Sequence, residues 1–158
     1  MDCCDRGFIE AQSKVKVTQV LWKMPENGWI KINIDRTSRG NPTRSSWEIC
    51  IRNEYGDVIQ AQAKEMEDPQ STTTEAEALA ILQALRFVRA NPMDQIRIET
   101  DSLLVKNIIQ RTWEVPWKVV SMVEEIWKIM EEKMVVVEYI YMERNVTPKK
   151  ILCRLRCE

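Results

Sequence analysis

An alternating run near the start of the chain constrains its fold most strongly. Residues 29–35 read Trp-Ile-Lys-Ile-Asn-Ile-Asp, so every second side chain from Ile30 to Ile34 is apolar. A period of two puts the isoleucines on one face of an extended strand and the polar residues on the other. The run follows a turn-forming cluster and precedes a stretch, 36–44, that contains glycine and proline. The pattern predicts a strand that ends at Asp35 and a loop after it.

The rest of the chain continues this alternation of strands and helices. Apolar runs over 47–52 and 58–66 flank a short segment with Gly56, which indicates a hairpin. A stripe of apolar residues at helical spacing predicts a helix that starts near Thr74. The later segments predict a strand over 96–100, a helix from Asp101, a helix over 118–133, a strand over 134–141 and a short helix after Pro148. This order predicts an α/β fold with a mixed five-stranded sheet flanked by helices.

The length and the termini predict one intracellular domain. A chain of 158 residues is the size of a single domain. It contains no apolar run near the roughly 20 residues of a membrane span, and its first residues are acidic and cysteine-rich rather than basic and apolar. We therefore expect a tail or linker over 1–24, one domain over 25–158, a nuclear or cytoplasmic location without secretion or membrane insertion, and a monomer.

The composition excludes several kinds of catalytic site. The chain has no histidine, which rules out Ser-His-Asp and Cys-His catalysis and histidine-bound zinc. Its five cysteines include no CxxC pair. A zinc site from Cys3, Cys4, Cys153 and Cys157 is conceivable, but reduced thiols are the favoured interpretation.

The charge balance limits how a nucleic acid could be bound. With 23 basic and 24 acidic residues the chain carries a net charge of −1, so a nucleic acid would need a local basic patch. Two clusters qualify: Arg36, Arg39 and Arg44, and Lys149, Lys150, Arg154 and Arg156. Each cluster could equally be ordinary solvated surface charge.

Three acids lie where one predicted element gives way to the next. Asp35 ends the first strand, Glu77 lies in the first helical turn, and Asp101 joins a strand to a helix. Such positions can converge at one edge of a sheet, where α/β proteins bind ligands. Converging carboxylates repel each other unless a cation compensates them, and hard oxygen ligands suit Mg²⁺ or Mn²⁺.

Each of these acids also has a purely local interpretation. Asp101 suits a helix N-cap, and Glu77 fits a capping box with Thr74. Asp35 could be a turn residue at the end of a strand. The spacing alone leaves both interpretations open.

Several motifs in a fixed order resemble the ribonuclease H domains linked to reverse transcriptases, which are abundant in plant genomes. Residues 28–35 followed by 38–42 resemble the opening G-W-x-K-x-N-x-D-G-A-s-r-G-N-P of those domains. Residues 74–77 resemble their N-E-A-E helix start, 99–102 their E-S/T-D-S, and 52–57 their R-d-x-x-G-x hairpin. The resemblance covers about 22–152.

This resemblance implies a fold, a chemistry and a set of contacts. The fold would be the three-layer ribonuclease H-like fold. The chemistry would be metal-dependent cleavage of the RNA strand of RNA–DNA hybrids, with Asp35, Glu77 and Asp101 as catalytic ligands of Mg²⁺ or Mn²⁺. The implied nucleic-acid contacts are Arg39, Asn41, Thr73, Thr74 and Ser102.

The chain departs from the pattern at positions that bear on activity. Lys149 stands where the resemblance places a fourth acid, and at about 4 Å one unit-charge pair is worth roughly 4 kcal/mol at an effective dielectric constant near 20. Glu143 is the nearest substitute. Arg36 replaces a glycine, and the terminal helix looks truncated. Two hypotheses follow for this degenerate copy: an endonuclease whose activity is reduced or lost, or an inactive module that binds nucleic acid or protein.

Overall fold

The computed structural model describes residues 23–39 and 44–141. Most of the predicted tail, the predicted terminal helix, Asn41 and Lys149 lie outside these ranges. The elements are the strands β1 (Ile30–Arg39), β2 (Arg44–Arg52), β3 (Val58–Glu65), β4 (Gln95–Thr100) and β5 (Met134–Tyr139), the helices α1 (Thr73–Arg89), α2 (Leu103–Ile109) and α3 (Val120–Glu132), and a 3-10 turn over Trp117–Val119. No helix within these ranges is long and apolar enough to cross a bilayer.

The strands form one sheet in the order β3-β2-β1-β4-β5. β2 pairs antiparallel with both β1 and β3, whereas β4 pairs parallel with β1 and β5 pairs parallel with β4. The predicted hairpin between β2 and β3 is confirmed: Gly56 donates its N–H to the carbonyl of Asn53, and its φ of 84° is in the left-handed region. The predicted mixed five-stranded sheet with flanking helices is confirmed.

The alternating run of β1 separates an apolar face from a polar one. Ile30, Ile32 and Ile34 join a core with residues of all three helices, so α1, α2 and α3 pack on this face. Fully burying one such side chain stabilises the fold by about 1.5–3 kcal/mol. The stripe along α1 is buried from Ala76 to Val88, which confirms the predicted helix face.

The opposite face of the sheet is polar but also buried. Lys31 Nζ lies 2.8 Å from Glu99 Oε1, and Asn33 Nδ2 donates to Glu99 Oε2 across 2.9 Å. Arg52 Nη1 in turn donates to Asn33 Oδ1 across 3.2 Å. A buried charge is costly unless it is paired, and this network pairs Lys31 with Glu99.

Several predicted boundaries were wrong, and three of them bear on the candidate site or on the helix next to it. β1 does not end at Asp35 but continues to Arg39, because β2 still pairs with it after β4 has ended opposite Ile34. α2 begins at Leu103 rather than Asp101. The predicted third helix starts as a 3-10 turn, and α3 proper begins at Val120.

Candidate metal and nucleic-acid site

The sheet register brings two of the predicted metal ligands to the same edge. Ile34 of β1 is the parallel partner of Thr100 of β4, and this is where their pairing ends. Asp35 and Asp101 each follow a member of this pair, so both lie at the carboxyl end of the parallel strands. Open α/β sheets bind ligands at such ends.

Glu77 is brought to this edge by the start of α1, but not as a helix cap. The capping box consists of Thr72 and Glu75: Glu75 N–H donates to Thr72 Oγ1 across 3.2 Å, and Thr72 N–H donates to Glu75 Oε2 across 2.6 Å. The predicted box of Thr74 with Glu77 is therefore wrong. Glu77 lies in the helix with 0% of its surface exposed.

The local interpretations of the two aspartates are also wrong. Ser102, not Asp101, is the N-cap of α2, since its Oγ accepts from Val105 N–H across 3.2 Å. Asp35 is not a turn residue; it lies within β1, opposite Glu48 of β2. None of the three acids has the local role that the sequence offered as an alternative.

Both oxygens of the Glu77 carboxylate are engaged by other side chains. Thr100 Oγ1 donates to Oε1, and Arg36 Nη1 donates to Oε2 across 2.7 Å. Burial raises the pKa of Glu77 from its ordinary value of 4.5 to about 7, although the Thr100 hydroxyl and the Arg36 guanidinium oppose this shift. The negative charge of Asp101 raises the pKa further. A proton on Glu77 therefore competes with the ion pair at neutral pH.

Arg36 contacts all three predicted metal ligands. Its guanidinium Nη1 lies 2.7 Å from Glu77 Oε2 and 3.7 Å from Asp101 Oδ1. Its backbone N–H donates to Asp35 Oδ1 across 2.9 Å. The Arg36 side chain is 30% exposed, so the guanidinium is partly withdrawn from solvent. The guanidinium thus lies against the carboxylates of Glu77 and Asp101, while the backbone of the same residue binds Asp35.

This arrangement fits a guanidinium better than a divalent ion. Mg²⁺ requires oxygen ligands at about 2.0–2.1 Å in near-octahedral geometry. Glu77 Oε2 instead accepts from Arg36, and Oε1 accepts from Thr100. Within 23–39 and 44–141, no group of three or more acidic or cysteine side chains is placed to hold a metal ion. The ligand roles of Asp35, Glu77 and Asp101 stay predictions.

The predicted nucleic-acid contacts fall into two groups. Thr73 and Thr74 are half-buried in the first turn of α1, and Ser102 is 7% exposed and engaged as the cap of α2. The side chain of Arg39, like Asn41, lies outside the described part of the structure. Their contacts with nucleic acid stay predictions.

A family comparison identifies the chain. The sequence profile described as reverse transcriptase-like matches residues 33–150. The chain belongs to the reverse transcriptase-like family. A comparison of the sequence with curated proteins finds no significant match.

Solved structures of ribonucleases H share the fold of this reverse transcriptase-like domain. RNase H1 of the archaeon Halobacterium salinarum matches with a TM-score of 0.66 and 16% identity, over 79% of this chain and 98% of that one. LC11-RNase H1, in complex with an RNA/DNA hybrid, matches with a TM-score of 0.64 and 22% identity, over 80% and 99%. A foamy viral protease–reverse transcriptase, also in complex with an RNA/DNA hybrid, matches with a TM-score of 0.59 and 17% identity, over 79% and 19%. These similarities confirm the ribonuclease H-like fold.

Sequence reasoning missed two exposed tryptophans of this reverse transcriptase-like domain. Trp113 is 52% exposed and Trp117 is 81% exposed, in the connection between α2 and α3. The Lys118 amine lies 5.7 Å from the centre of the Trp117 ring. Tryptophan is seldom this exposed, and a flat ring beside a cation is a surface on which nucleic-acid bases stack. The signal was present in the sequence as two tryptophans around Pro116, followed by lysine.

Sequence reasoning also missed Thr100. Its hydroxyl joins the candidate site to the start of α2, because it donates to Glu77 and accepts from Ser102 N–H across 3.1 Å. The predicted strand pattern marked Thr100 only as the last residue of β4. Its role depends on α1 packing against this strand end, which the local sequence does not encode.

Proposed function

We propose that this domain binds RNA–DNA hybrids and that its cleavage of the RNA strand is strongly reduced or lost. The observation that carries this proposal is the contact of Arg36 with Asp35, Glu77 and Asp101. Two of the acids that the family resemblance assigns to Mg²⁺ or Mn²⁺, Glu77 and Asp101, already lie against a positive charge of the chain itself.

Binding is supported by the fold and by the exposed surface. Two of the structural neighbours were solved with an RNA/DNA hybrid. Trp117, with the Lys118 amine over its ring, and Trp113 in the same connection add exposed rings suited to stacking and a cation suited to phosphate contact. We assign hybrid contacts to the predicted residues as well: Arg39, Asn41, Thr73, Thr74 and Ser102. Contacts with the 2′-hydroxyl would let the domain prefer hybrids over DNA duplexes.

Reduced cleavage follows from charge and geometry. Metal-assisted hydrolysis needs carboxylate oxygens that are open to the ions. Here Glu77 Oε2 accepts a hydrogen bond from the Arg36 guanidinium, and Oε1 accepts one from Thr100, so neither oxygen is open. Lys149, at the position that the resemblance gives to a fourth acid, would weaken cation binding further.

One observation favours the alternative of a working metal-dependent endonuclease. Asp35, Glu77 and Asp101 remain grouped at the carboxyl end of the parallel strands, although none has the local role that the sequence offered. If Arg36 rotated towards solvent, the acids would be free to act as ligands. Cleavage must therefore be measured separately from binding.

The decisive experiment compares binding and cleavage on the same labelled RNA–DNA hybrid. Fluorescence anisotropy in EDTA measures binding, with DNA and RNA duplexes of the same sequence as competitors. Gel analysis in Mg²⁺ or Mn²⁺ measures cleavage, with Asp101→Asn as the matched control. We expect preferential hybrid binding and little cleavage. Efficient cleavage that disappears in the control would establish the endonuclease instead, and no binding to any duplex would point to a protein-interaction module.

We also propose, as predicted from the sequence, that the protein is a monomer and that it is located in the nucleus or the cytoplasm. Light scattering coupled to size-exclusion chromatography measures the oligomeric state, and imaging of the tagged full-length chain measures the location.

A further inference from the structure

We propose that Arg36 is a built-in counter-cation that replaces divalent metal at the acidic cluster of Asp35, Glu77 and Asp101. The inference rests on the proposed function, because that proposal identifies these three acids as the positions that bind metal in the family. Its test reads metal binding and stability, so it can fail while hybrid binding stands.

The position of Arg36 is imposed by the sheet rather than by a flexible loop. Arg36 lies inside β1 as the antiparallel partner of Trp47, which is only 2% exposed. In the alternation of β1 it follows Ile34, whose side chain is in the core shared with α1. The side chain of Arg36 therefore starts on the α1 face, where Glu77 is buried.

The buried carboxylate of Glu77 and the nearby carboxylate of Asp101 require a compensating positive charge. Glu77 has no exposed surface, and the charge of Asp101 acts on it. Two carboxylates in a site of low polarity require a cation or a proton, because leaving a buried charge without compensation is costly. Arg36 is the cation within reach in the described part of the chain, at 2.7 Å and 3.7 Å from the two carboxylates.

A guanidinium and a divalent ion exclude each other at such a site. The guanidinium carries donors only, so it binds carboxylate oxygens and cannot ligate a metal. An ion bound to Glu77 Oε2 would lie close to Arg36 Nη1, which is now 2.7 Å from that oxygen. Removal of the guanidinium should therefore open the cluster to metal, and the cluster should then need metal to be stable.

Mn²⁺ binding to the full chain tests this directly. We measure free Mn²⁺ by electron paramagnetic resonance in wild type, in Arg36→Ala and in Arg44→Ala. Arg44 is the matched control, because it is a strand arginine with a 65% exposed side chain and its ion pair with Glu65 is long, at 3.9 Å. We expect Arg36→Ala to bind Mn²⁺ at least about tenfold more tightly than wild type and Arg44→Ala, since one nearby positive charge is removed. Adding Asp101→Asn to Arg36→Ala should abolish the gain.

Thermal unfolding gives an independent reading. Wild type should have the same midpoint in EDTA and in Mn²⁺, whereas Arg36→Ala should have a lower midpoint in EDTA and recover in Mn²⁺, because a ligand of the folded state stabilises it. If Arg36→Ala folds only with Mn²⁺, the proposal is supported. If it does not fold in either condition, Arg36→Gln, which keeps much of the side-chain volume, takes its place in both measurements.

Two results would overturn the proposal. One is Mn²⁺ binding by wild type with the affinity of Arg36→Ala; the other is a variant midpoint that Mn²⁺ does not change. Anisotropy with the labelled hybrid in EDTA, on the same wild-type sample, tests the proposed function separately. If wild type binds both Mn²⁺ tightly and the hybrid, the counter-cation role of Arg36 is rejected and the proposed hybrid binding is retained.

Discussion

The hydroxyl of Thr100 donates to the buried carboxylate of Glu77, which joins the end of β4 to the start of α1. The same hydroxyl accepts from Ser102 N–H, so it also holds the residue that caps α2. The second oxygen of the Glu77 carboxylate accepts a hydrogen bond from the guanidinium of Arg36. A buried acid with these partners is sensitive to pH and to the loss of any one of them.

We predict that Glu77 makes the domain less stable as the pH rises towards neutrality. Its pKa is about 7 in the folded protein, above the ordinary value of 4.5, so the unfolded chain loses this proton first. The contribution of protonated Glu77 to the free energy of unfolding is fully present below pH 4.5, its ordinary pKa. This contribution is lost as the pH rises through the folded pKa of about 7. The loss amounts to about 3 kcal/mol between roughly pH 4.5 and pH 8.

Glu77→Gln is the control for this pH dependence. Urea unfolding in EDTA should show that the wild-type free energy of unfolding falls relative to that of the variant by this amount. The chain has no histidine, which removes the commonest other group that titrates in this range. Parallel pH profiles for the two proteins would contradict the prediction.

We predict that Thr100→Val destabilises the domain by about 1–3 kcal/mol, because Glu77 loses a donor and Ser102 N–H loses an acceptor inside the protein. The substitution preserves shape, so little packing is lost. Thr112→Val is the matched control, since the Thr112 hydroxyl donates to Asn107 at the surface. Equal free energies of unfolding for the two variants would show that the Thr100 bonds are unimportant.

The observed capping box predicts different stability costs for alanine substitutions at two neighbouring threonines, Thr72 and Thr74. Thr72→Ala should destabilise the domain by about 1 kcal/mol, because the side chain of Thr72 accepts from Glu75 N–H. Thr74→Ala should cost little, since Thr74 is inside the helix, where alanine is favourable. Chemical denaturation of both variants measures the difference, and a larger cost at Thr74 would restore the box predicted from sequence.

We predict that Trp117→Ala weakens hybrid binding and leaves stability nearly unchanged. An 81% exposed ring contributes little to the core, while stacking on one base is worth about 1–3 kcal/mol. Tyr55→Ala, in the hairpin after β2 and 72% exposed, is the matched control for loss of a surface ring. Anisotropy titrations should show weaker binding for the tryptophan variant only. The same affinity for both variants would exclude this surface from the interface.

The elements themselves were predictable because burial imposes a period on the local sequence. The isoleucines of β1 alternate, and all three are buried. The apolar stripe of α1 and the hairpin around Gly56 were predicted for the same reason, and the mixed sheet followed from the order of elements. The sequence placed Asp101 directly after β4 and Asp35 directly after Ile34, and the register of β1 with β4 brought these two positions to the same edge, although β1 itself continues beyond Asp35.

The capping residue of α1 shows why local pattern was insufficient. Thr72 with Glu75 and Thr74 with Glu77 have the same spacing of a threonine and an acid. The backbone selected the first pair, since Thr72 is extended, with φ −84° and ψ 163°. That choice places Glu77 two residues deeper in the helix, where it faces the sheet instead of capping the helix end.

The sequence alone thus determined the order of the strands and helices and the location of the three acids near the junctions between them. Each of these depends on a pattern of neighbours a few residues away. The tertiary structure decided what surrounds those acids. Arg36 and Glu77 are 41 residues apart in sequence, and they meet only because α1 packs on the face of β1 that carries Ile34. An ion pair across that distance depends on strand register and helix packing, which the period of a local pattern does not contain.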